Sequence, residues 1–238
     1  MTADPLEPLR DAPERSALIL DVDGTLAPIV ARPELAEVPG STRAELSRLV
    51  GLYLLVACVS GRSGAEAQQL VGVDGIRYVG NHGLELDPRA EDFAGRIASF
   101  RESVGRHVED KGLTLSYHFR EARNEAEARK ELEAVAQRAR DEGLIARWGR
   151  KVLEIRPEIG ADKGTAVRAL LDESGATRGL YAGDDTTDLD AFNGLATSNL
   201  EYFARIAVAS DEAPRELLEA ADLVVGGPGE LATLLARL

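Results

Sequence analysis

Apolar residues in this chain come in short unbroken runs that stop abruptly at polar groups. "ALIL" (Ala17 to Leu20) runs into Asp21, and "LYLLVACVS" ends at Ser60. "IRYVG" leads into "NHGLEL", "GLYAGDD" closes on Asp184 and Asp185, and "ARIAVA" and "DLVVGG" are two further short runs. Continuous rather than alternating apolar runs predict strands covered on both faces, as in a parallel sheet. Amphipathic stretches separate them. "STRAELSRLV" predicts a helix with Ser41 or Thr42 as N-cap, and "SGAEAQQL" a shorter one. "DKGTAVRALLDESG" places Ala166, Val167, Leu170 and Leu171 on one helical face, with Gly175 near its end. "DLDAFNGL" and "GELATLLARL" complete the set. The alternation predicts an α/β fold, a doubly wound and mostly parallel sheet.

The pattern changes from about Phe93 to Arg156. A long helix is expected near Glu121 to Glu142, with Ala128, Leu132, Val135, Ala136 and Ala139 on one face and Glu125 and Arg129 as an i,i+4 pair. "LTLSYHFR" and "KVLEIRP" alternate as strands with one solvated face do. Trp148 is expected to pack this region. The expected organisation is a core of residues 1–90 and 160–238, with a smaller α+β cap, 91–159, inserted into it.

Composition narrows the partners. The 238 residues include 28 Lys and Arg against 41 Asp and Glu, a net charge of −13. Such a chain as a whole repels nucleic acid and anionic membranes, so an anionic substrate requires cations gathered locally. The single cysteine, Cys58, lies inside an apolar run and reads as a core thiol, compatible with a reducing compartment. The first residues lack a signal-peptide pattern, and no stretch reaches the roughly 20 apolar residues that span a bilayer. A cytoplasmic protein is expected. No long apolar stripe marks the surface, so a monomer is expected too.

The predicted strand ends carry the chemistry. Asp21 and Asp23, Ser60 with Arg62, Asn81 with His82, and Asp184 with Asp185 and Asp188 all fall there, where open parallel sheets bind ligands. Lys163 opens the helix after the insertion. Carboxylates at two strand ends can share one cation, and hard oxygen donors suit Mg²⁺ beside a substrate phosphate. An Asp can attack phosphorus, and a neighbour two residues on can serve as general acid and base. Gly24 permits a tight turn, and Thr25 offers a hydroxyl and a backbone N–H to a phosphate.

These blocks resemble the motifs of the haloacid dehalogenase superfamily and, more finely, the trehalose-6-phosphate phosphatases. "DVDGTLAPI", "VSGR", "NHGLEL", "VEDKGLTLSYHFR", "VLEIRP", "KG" and "GDDTTDLDAF" follow one another in that family's order between Leu18 and Phe192. Val22 stands where the family often has an aromatic residue, and Leu189 where Glu is common. The resemblance implies a Mg²⁺-dependent phosphatase acting on a small sugar phosphate. Asp21 would be the nucleophile and Asp23 the general acid and base. Asp21, the Asp23 carbonyl and Asp184 would hold the metal, supported by Asp185 or Asp188. Ser60 and Lys163 would hold the phosphoryl oxygens. Gly24, Thr25, Gly61, Arg62, Asn81 and His82 would line the phosphate end. Glu109, Lys111 and Glu154 would hydrogen-bond the sugar, with His118 and Arg120 in the same blocks.

Each signal has a plainer counterpart. "DxDG" is also a fragment of a calcium loop, but the remaining calcium-loop spacing is missing. "SGR" is by itself a common turn, Asp188 suits a helix N-terminus, and "RHVEDK" suits a solvated face. His82, His107 and His118 lack metal-ligand spacing, and His107 reads as a solvated helix residue. Other substrates stay open, namely sucrose 6-phosphate or a glycosyl-glycerate phosphate. A non-enzymatic phospho-receiver also uses a sheet with an acceptor Asp, although its acceptor usually follows the middle strand.

Overall fold

The computed structural model describes residues 4–30, 32–105, 108–120, 122–149, 151–211 and 213–238. The chain divides into two compact units, Met1–Gly83 with Ala161–Leu238, and Leu84–Gly160. The larger begins with α1 (Glu7–Arg10), β1 (Ser16–Leu20), α2 (Gly40–Val50), β2 (Leu55–Val59), α3 (Gly64–Val71) and β3 (Arg77–Val79). The smaller contains α4 (Ala90–Val104), β4 (Glu109–Asp110), β5 (Leu115–His118), α5 (Glu125–Asp141), β6 (Leu144–Gly149) and β7 (Val152–Pro157). The larger resumes with α6 (Lys163–Ser174), β8 (Arg178–Gly183), α7 (Asp188–Thr197), β9 (Tyr202–Val208), α8 (Arg215–Ala220), β10 (Leu223–Val225) and α9 (Pro228–Leu235).

The larger unit is the doubly wound α/β sheet that the apolar runs predict. Six strands run parallel in the order β10-β9-β8-β1-β2-β3. All five residues of β1 are buried, which explains why its sequence shows no alternation. The chain winds outward from β1 through β2 to β3, then returns to the other side of β1 for β8, β9 and β10. The winding therefore reverses between β1 and β8, and the carboxyl ends of these two strands flank the crevice where such sheets bind ligands.

The smaller unit is α+β. Its sheet is antiparallel in the order β4-β5-β7-β6. Leu115, Tyr117, Leu153 and Ile155 form a buried cluster with Ile97 and Phe100 of α4 and with Leu132, Val135, Ala136 and Ala139 of α5. Phe119 and Trp148 meet edge to face at 6.1 Å, so Trp148 packs this unit.

Several local expectations are corrected. Helix α2 starts at Gly40, with Pro39 in the N-cap position instead of Ser41 or Thr42. The Pro39 carbonyl accepts from Arg43 N at 3.0 Å, and Thr42 is buried. Strand β2 starts at Leu55, because Leu52 and Leu54 stay exposed. Helix α5 starts after Asn124, whose side chain accepts from Glu127 N at 3.2 Å. The predicted start, Glu121, and His107 lie outside the described residues. Glu125 pairs with Lys151 at 2.6 Å, and the Arg129 guanidinium lies 4.4 Å from the Trp148 ring centre, so each i,i+4 partner is drawn to β6 or the turn after it. Strand β6 itself was not expected; its pairing with β7 along six residues is what holds it. Among the described residues no helix is long and apolar enough to cross a membrane.

Helix α6 is anchored by two features. Asp162 caps it, accepting from Thr165 N at 2.7 Å and donating its own N–H to Thr165 Oγ1 at 2.9 Å. Gly164 and Gly194 then let α6 and α7 touch through their backbones. A Cβ on Gly194 would lie 2.6 Å from the Gly164 carbonyl oxygen, and one on Gly164 would lie 2.3 Å from that of Asp190. Overpacking a rigid contact costs about 1–3 kcal/mol. Gly194→Ala is therefore expected to lower the thermal midpoint by several degrees, read by circular dichroism. An unchanged midpoint would mean that the two helices separate freely.

Candidate active site at the β1–β8 crevice

Asp21 is the first residue past β1, and its N–H donates to the Ala182 carbonyl of β8 at 2.9 Å. A tight turn follows, in which Gly24 N donates to Ala27 O at 2.7 Å. Gly24 has φ 84°, and a Cβ there would lie 2.1 Å from Asp184 Oδ2. Only glycine combines that backbone with that approach. Thr25 Oγ1 sits between two carboxylates, 3.4 Å from Asp21 Oδ2 and 3.3 Å from Asp184 Oδ1.

Lys163, in the first turn of α6, reaches into this crevice. Its Nζ is 2.7 Å from both Asp21 Oδ1 and Asp188 Oδ1. All three residues are buried, so these are charge-assisted contacts in a low dielectric. Asp188 is fully engaged. Oδ1 also accepts from the Tyr181 hydroxyl at 2.7 Å, and Oδ2 accepts from the N–H groups of Asp184 and Asp185 at 2.9 and 2.8 Å. Asp185 is exposed and accepts from Thr186 N and Oγ1.

Charge decides the protonation behaviour. Three buried carboxylates share one ammonium. Burial pushes the Asp21 carboxyl up; Lys163 opposes this and Asp188 reinforces it. Burial also pushes Asp184 up, helped by the charges of Asp21 and Asp188. For Lys163, burial favours the neutral amine, but Asp188 and Asp21 outweigh it and hold the ammonium charged. Burial also raises the Tyr181 hydroxyl, so it stays a donor.

A divalent cation fits this arrangement. Asp21, Asp184 and Asp188 each offer an oxygen within 4.8 Å of the others. Because four protein donors already occupy Asp188, Asp21 and Asp184 are the carboxylates left to a cation. Excess buried negative charge and hard oxygen donors are what such an ion satisfies.

The neighbouring strand ends complete the crevice. Ser60 is buried, and its Oγ accepts from Arg62 N at 3.1 Å. Arg62 grips Asp23 with two contacts, Nε to Oδ2 and Nη2 to Oδ1, both 2.7 Å. After β3, Asn81 and His82 take left-handed φ values of 51° and 54°. Their N–H groups donate to Arg62 O at 2.7 Å and Ser60 O at 2.9 Å, which ties this strained turn to the one after β2. Gly61 packs against the His82 ring, where a Cβ would approach within 2.8 Å.

The remaining candidates lie in the smaller unit. Pairing places Glu109 opposite Ser116, Ser116 opposite Glu154, and Glu154 opposite Arg147. Directly opposed residues share a face, so this polar row lies on the side away from the apolar cluster. His118, two residues past Ser116, shares that face. Its Nε2 is 2.7 Å from Glu109 Oε2, and Lys111 Nζ is 3.6 Å from the same oxygen. The His118 contact lowers the Glu109 pKa against the upward push of burial, and the Lys111 charge helps. Arg120 is exposed in the turn after β5.

Tyr181 was missed by sequence reasoning. The signal was present: a tyrosine in an otherwise aliphatic central strand has a hydroxyl that must find a partner when buried.

The fold is that of the haloacid dehalogenase-like hydrolases. A solved trehalose-6-phosphate phosphatase related protein superposes with a TM-score of 0.73 at 24% identity, covering 93% of this chain and 96% of that one. The C-terminal domain of a C. albicans trehalose-6-phosphate phosphatase gives 0.69 at 22% identity, covering 98% and 96%. The trehalose-phosphatase family model matches residues 19–94 and 98–216, and the chain belongs to that family. A trehalose-phosphate phosphatase of Mycobacterium marinum is 33% identical over 94% of the chain, which spans 63% of that relative's length.

Asp21 and Asp184 bind protons more tightly folded than unfolded, so without metal their contribution to stability falls as pH rises above the ordinary carboxyl value of 3.8. A cation that takes over from those protons stabilises more as pH rises through this range. The melting midpoint with Mg²⁺ minus that with EDTA is expected to grow from pH 5 to pH 7.5, and to shrink in Asp184→Asn. A difference that is flat with pH, or unchanged in the variant, would place the cation elsewhere.

Proposed function

We propose that this chain hydrolyses trehalose 6-phosphate to trehalose and inorganic phosphate with Mg²⁺, through an aspartyl-phosphate. The observation that carries the reading is a buried carboxylate, Asp21, held by Lys163 beside Asp184 at the mouth of a parallel sheet, in a chain of the trehalose-phosphatase family.

Asp21 forms a bond from a carboxylate oxygen to phosphorus as the bond from phosphorus to the sugar oxygen breaks. Asp23 gives a proton to that departing oxygen. Water then attacks the phosphoryl group, Asp23 takes one of its protons, and the Asp21–phosphorus bond breaks to release phosphate. Lys163 fixes Asp21 and neutralises the charge that grows on the phosphoryl oxygens, with Ser60 and Thr25 as hydroxyl donors. Asp21, Asp184 and the Asp23 carbonyl would hold Mg²⁺, which would supply positive charge at the phosphoryl group. Asp188 keeps Lys163 in place. Glu109, Lys111 and Glu154 hydrogen-bond the sugar hydroxyls, with His118 orienting Glu109.

Phosphate release from a panel of sugar phosphates tests this, with Mg²⁺ and with EDTA. Trehalose 6-phosphate is expected to be strongly preferred, and EDTA is expected to abolish turnover. Asp21→Asn should lose at least about 10³-fold, since the covalent step depends on that carboxylate. Glu154→Gln should lower kcat/KM for trehalose 6-phosphate by roughly 10–100-fold, in line with about 1.5–3 kcal/mol for a hydrogen bond to a charged group, and leave p-nitrophenyl phosphate unchanged. Preference for sucrose 6-phosphate or a glycosyl-glycerate phosphate would keep the reaction and replace the substrate. A single stoichiometric phosphorylation without turnover would make the chain a phospho-receiver.

A further inference from the structure

Arg62 follows Ser60 so closely that its first reading is a cation for the substrate phosphate. Its guanidinium is committed elsewhere. Nε and Nη2 meet the two oxygens of Asp23 at 2.7 Å each, a fork-on-fork pair between residues 39 apart in sequence. The pair is asymmetric in burial. The Arg62 side chain is 15% exposed and that of Asp23 is 44% exposed. Arg62 is also fixed through its backbone, donating to Ser60 Oγ at 3.1 Å and accepting from Asn81 N at 2.7 Å. The Asp23 backbone is held by the turn that closes on Ala27. Among the described residues the Arg62 fork is the hold on the Asp23 carboxylate, and without it a carboxylate 44% exposed rotates in solvent. A planar fork restrains both the distance and the plane of a carboxylate, which an ammonium cannot do.

From this geometry we infer that Arg62 is a positioning residue that aims the Asp23 carboxylate, and that it is not chiefly a phosphate-binding cation. The inference rests on the reading of Asp23 as general acid and base. Arg62 itself exchanges no proton and forms no bond. It sets the plane from which Asp23 delivers a proton to the departing oxygen and later collects one from water.

The consequence depends on the leaving group. A sugar alkoxide needs that proton as the bond to phosphorus breaks, and p-nitrophenolate does not. General acid catalysis contributes about 10²–10⁴-fold, and an unaimed acid forfeits part of it. In Arg62→Gln, kcat for trehalose 6-phosphate is expected to fall by roughly 10–100-fold, a part of that contribution. KM should change little, and the rate of the first-turnover burst of p-nitrophenolate should stay within about threefold, since that leaving group needs no acid while the later attack of water, common to both substrates, still needs Asp23. Arg62→Lys, which keeps the charge and loses the fork, should resemble Arg62→Gln. In an Asp23→Asn background, Arg62→Gln should add no further loss, because the two residues act as one unit.

The p-nitrophenolate burst also certifies that each variant is folded, since it needs Asp21 and not Asp23. A loss shared by sugar phosphate turnover and the p-nitrophenolate burst, carried in substrate affinity and restored by Lys, would make Arg62 a phosphate-binding cation and overturn the inference. Undiminished kcat on the sugar phosphate would overturn it equally, as would additive losses in the double variant. Failure of the unmodified chain to turn over either substrate is a separate result, and it would remove the proposed function on which the inference rests.

Discussion

The contact of Lys163 with Asp21 and Asp188 is the constraint on which the rest of the site depends. An ammonium buried in a protein interior is tolerated only with partners, and breaking such a pair leaves an uncompensated charge. Here the ammonium has two carboxylates at 2.7 Å. One of them, Asp188, is itself saturated by Tyr181 and two backbone N–H groups. The lysine is thereby held to a fixed post, and the other carboxylate, Asp21, is held to the lysine. Asp184 adds a third buried carboxyl, and among the described residues no second ammonium lies beside it. The arrangement is complete as a scaffold and incomplete in charge, and a divalent cation or a bound proton makes up that deficit.

The sheet order makes this contact possible. Asp21 and Asp184 can face one another only because β1 and β8 are neighbours, and they are neighbours because the chain reverses its winding there. Lys163 arrives from a helix that follows the smaller unit, so its distance in sequence from Asp21 is large while its distance in space is small. The Asp162 cap and the Gly164–Gly194 approach fix the first turn of that helix, and thus the height at which the lysine enters.

Much of this was legible in the sequence, and the reason is local. A buried parallel strand announces itself as an unbroken apolar run, and a polar residue at its end is conspicuous. Asp21, Ser60, Asn81 and Asp184 could all be read that way. The α5 face was legible from its period, since Leu132, Val135, Ala136 and Ala139 are buried as spacing requires. What depended on tertiary partners was not legible. The spacing of Glu125 and Arg129 suggested a pair, but Lys151 and Trp148 offered better contacts. Strand β6 buries Leu144 but exposes Ile145 along with Arg147 and Gly149, so its apolar residues mark no single face and its pairing with β7 defines it. Tyr181 and Asp188 lie seven residues apart, and their meeting across the end of β8 has no sequence period. The Arg62–Asp23 grip belongs to the same class, because two strand ends must be adjacent before it can form.

The two units also differ in the chemistry they can offer. The polar row of the smaller unit holds Glu109 and Glu154 with Lys111 and His118 near the first. Glu109 keeps its charge because His118 and Lys111 favour the ionised form. Acceptors of this kind suit neutral hydroxyls and repel a phosphate. The crevice of the larger unit carries the opposite provision: an ammonium held charged by two carboxylates, hydroxyl donors on Ser60 and Thr25, and oxygens ready for a cation. In a chain with a net charge of −13, attraction for an anion cannot come from the molecule as a whole. It has to be built at one place from a few buried groups. The residues that build it are the ones whose positions the fold controls most tightly.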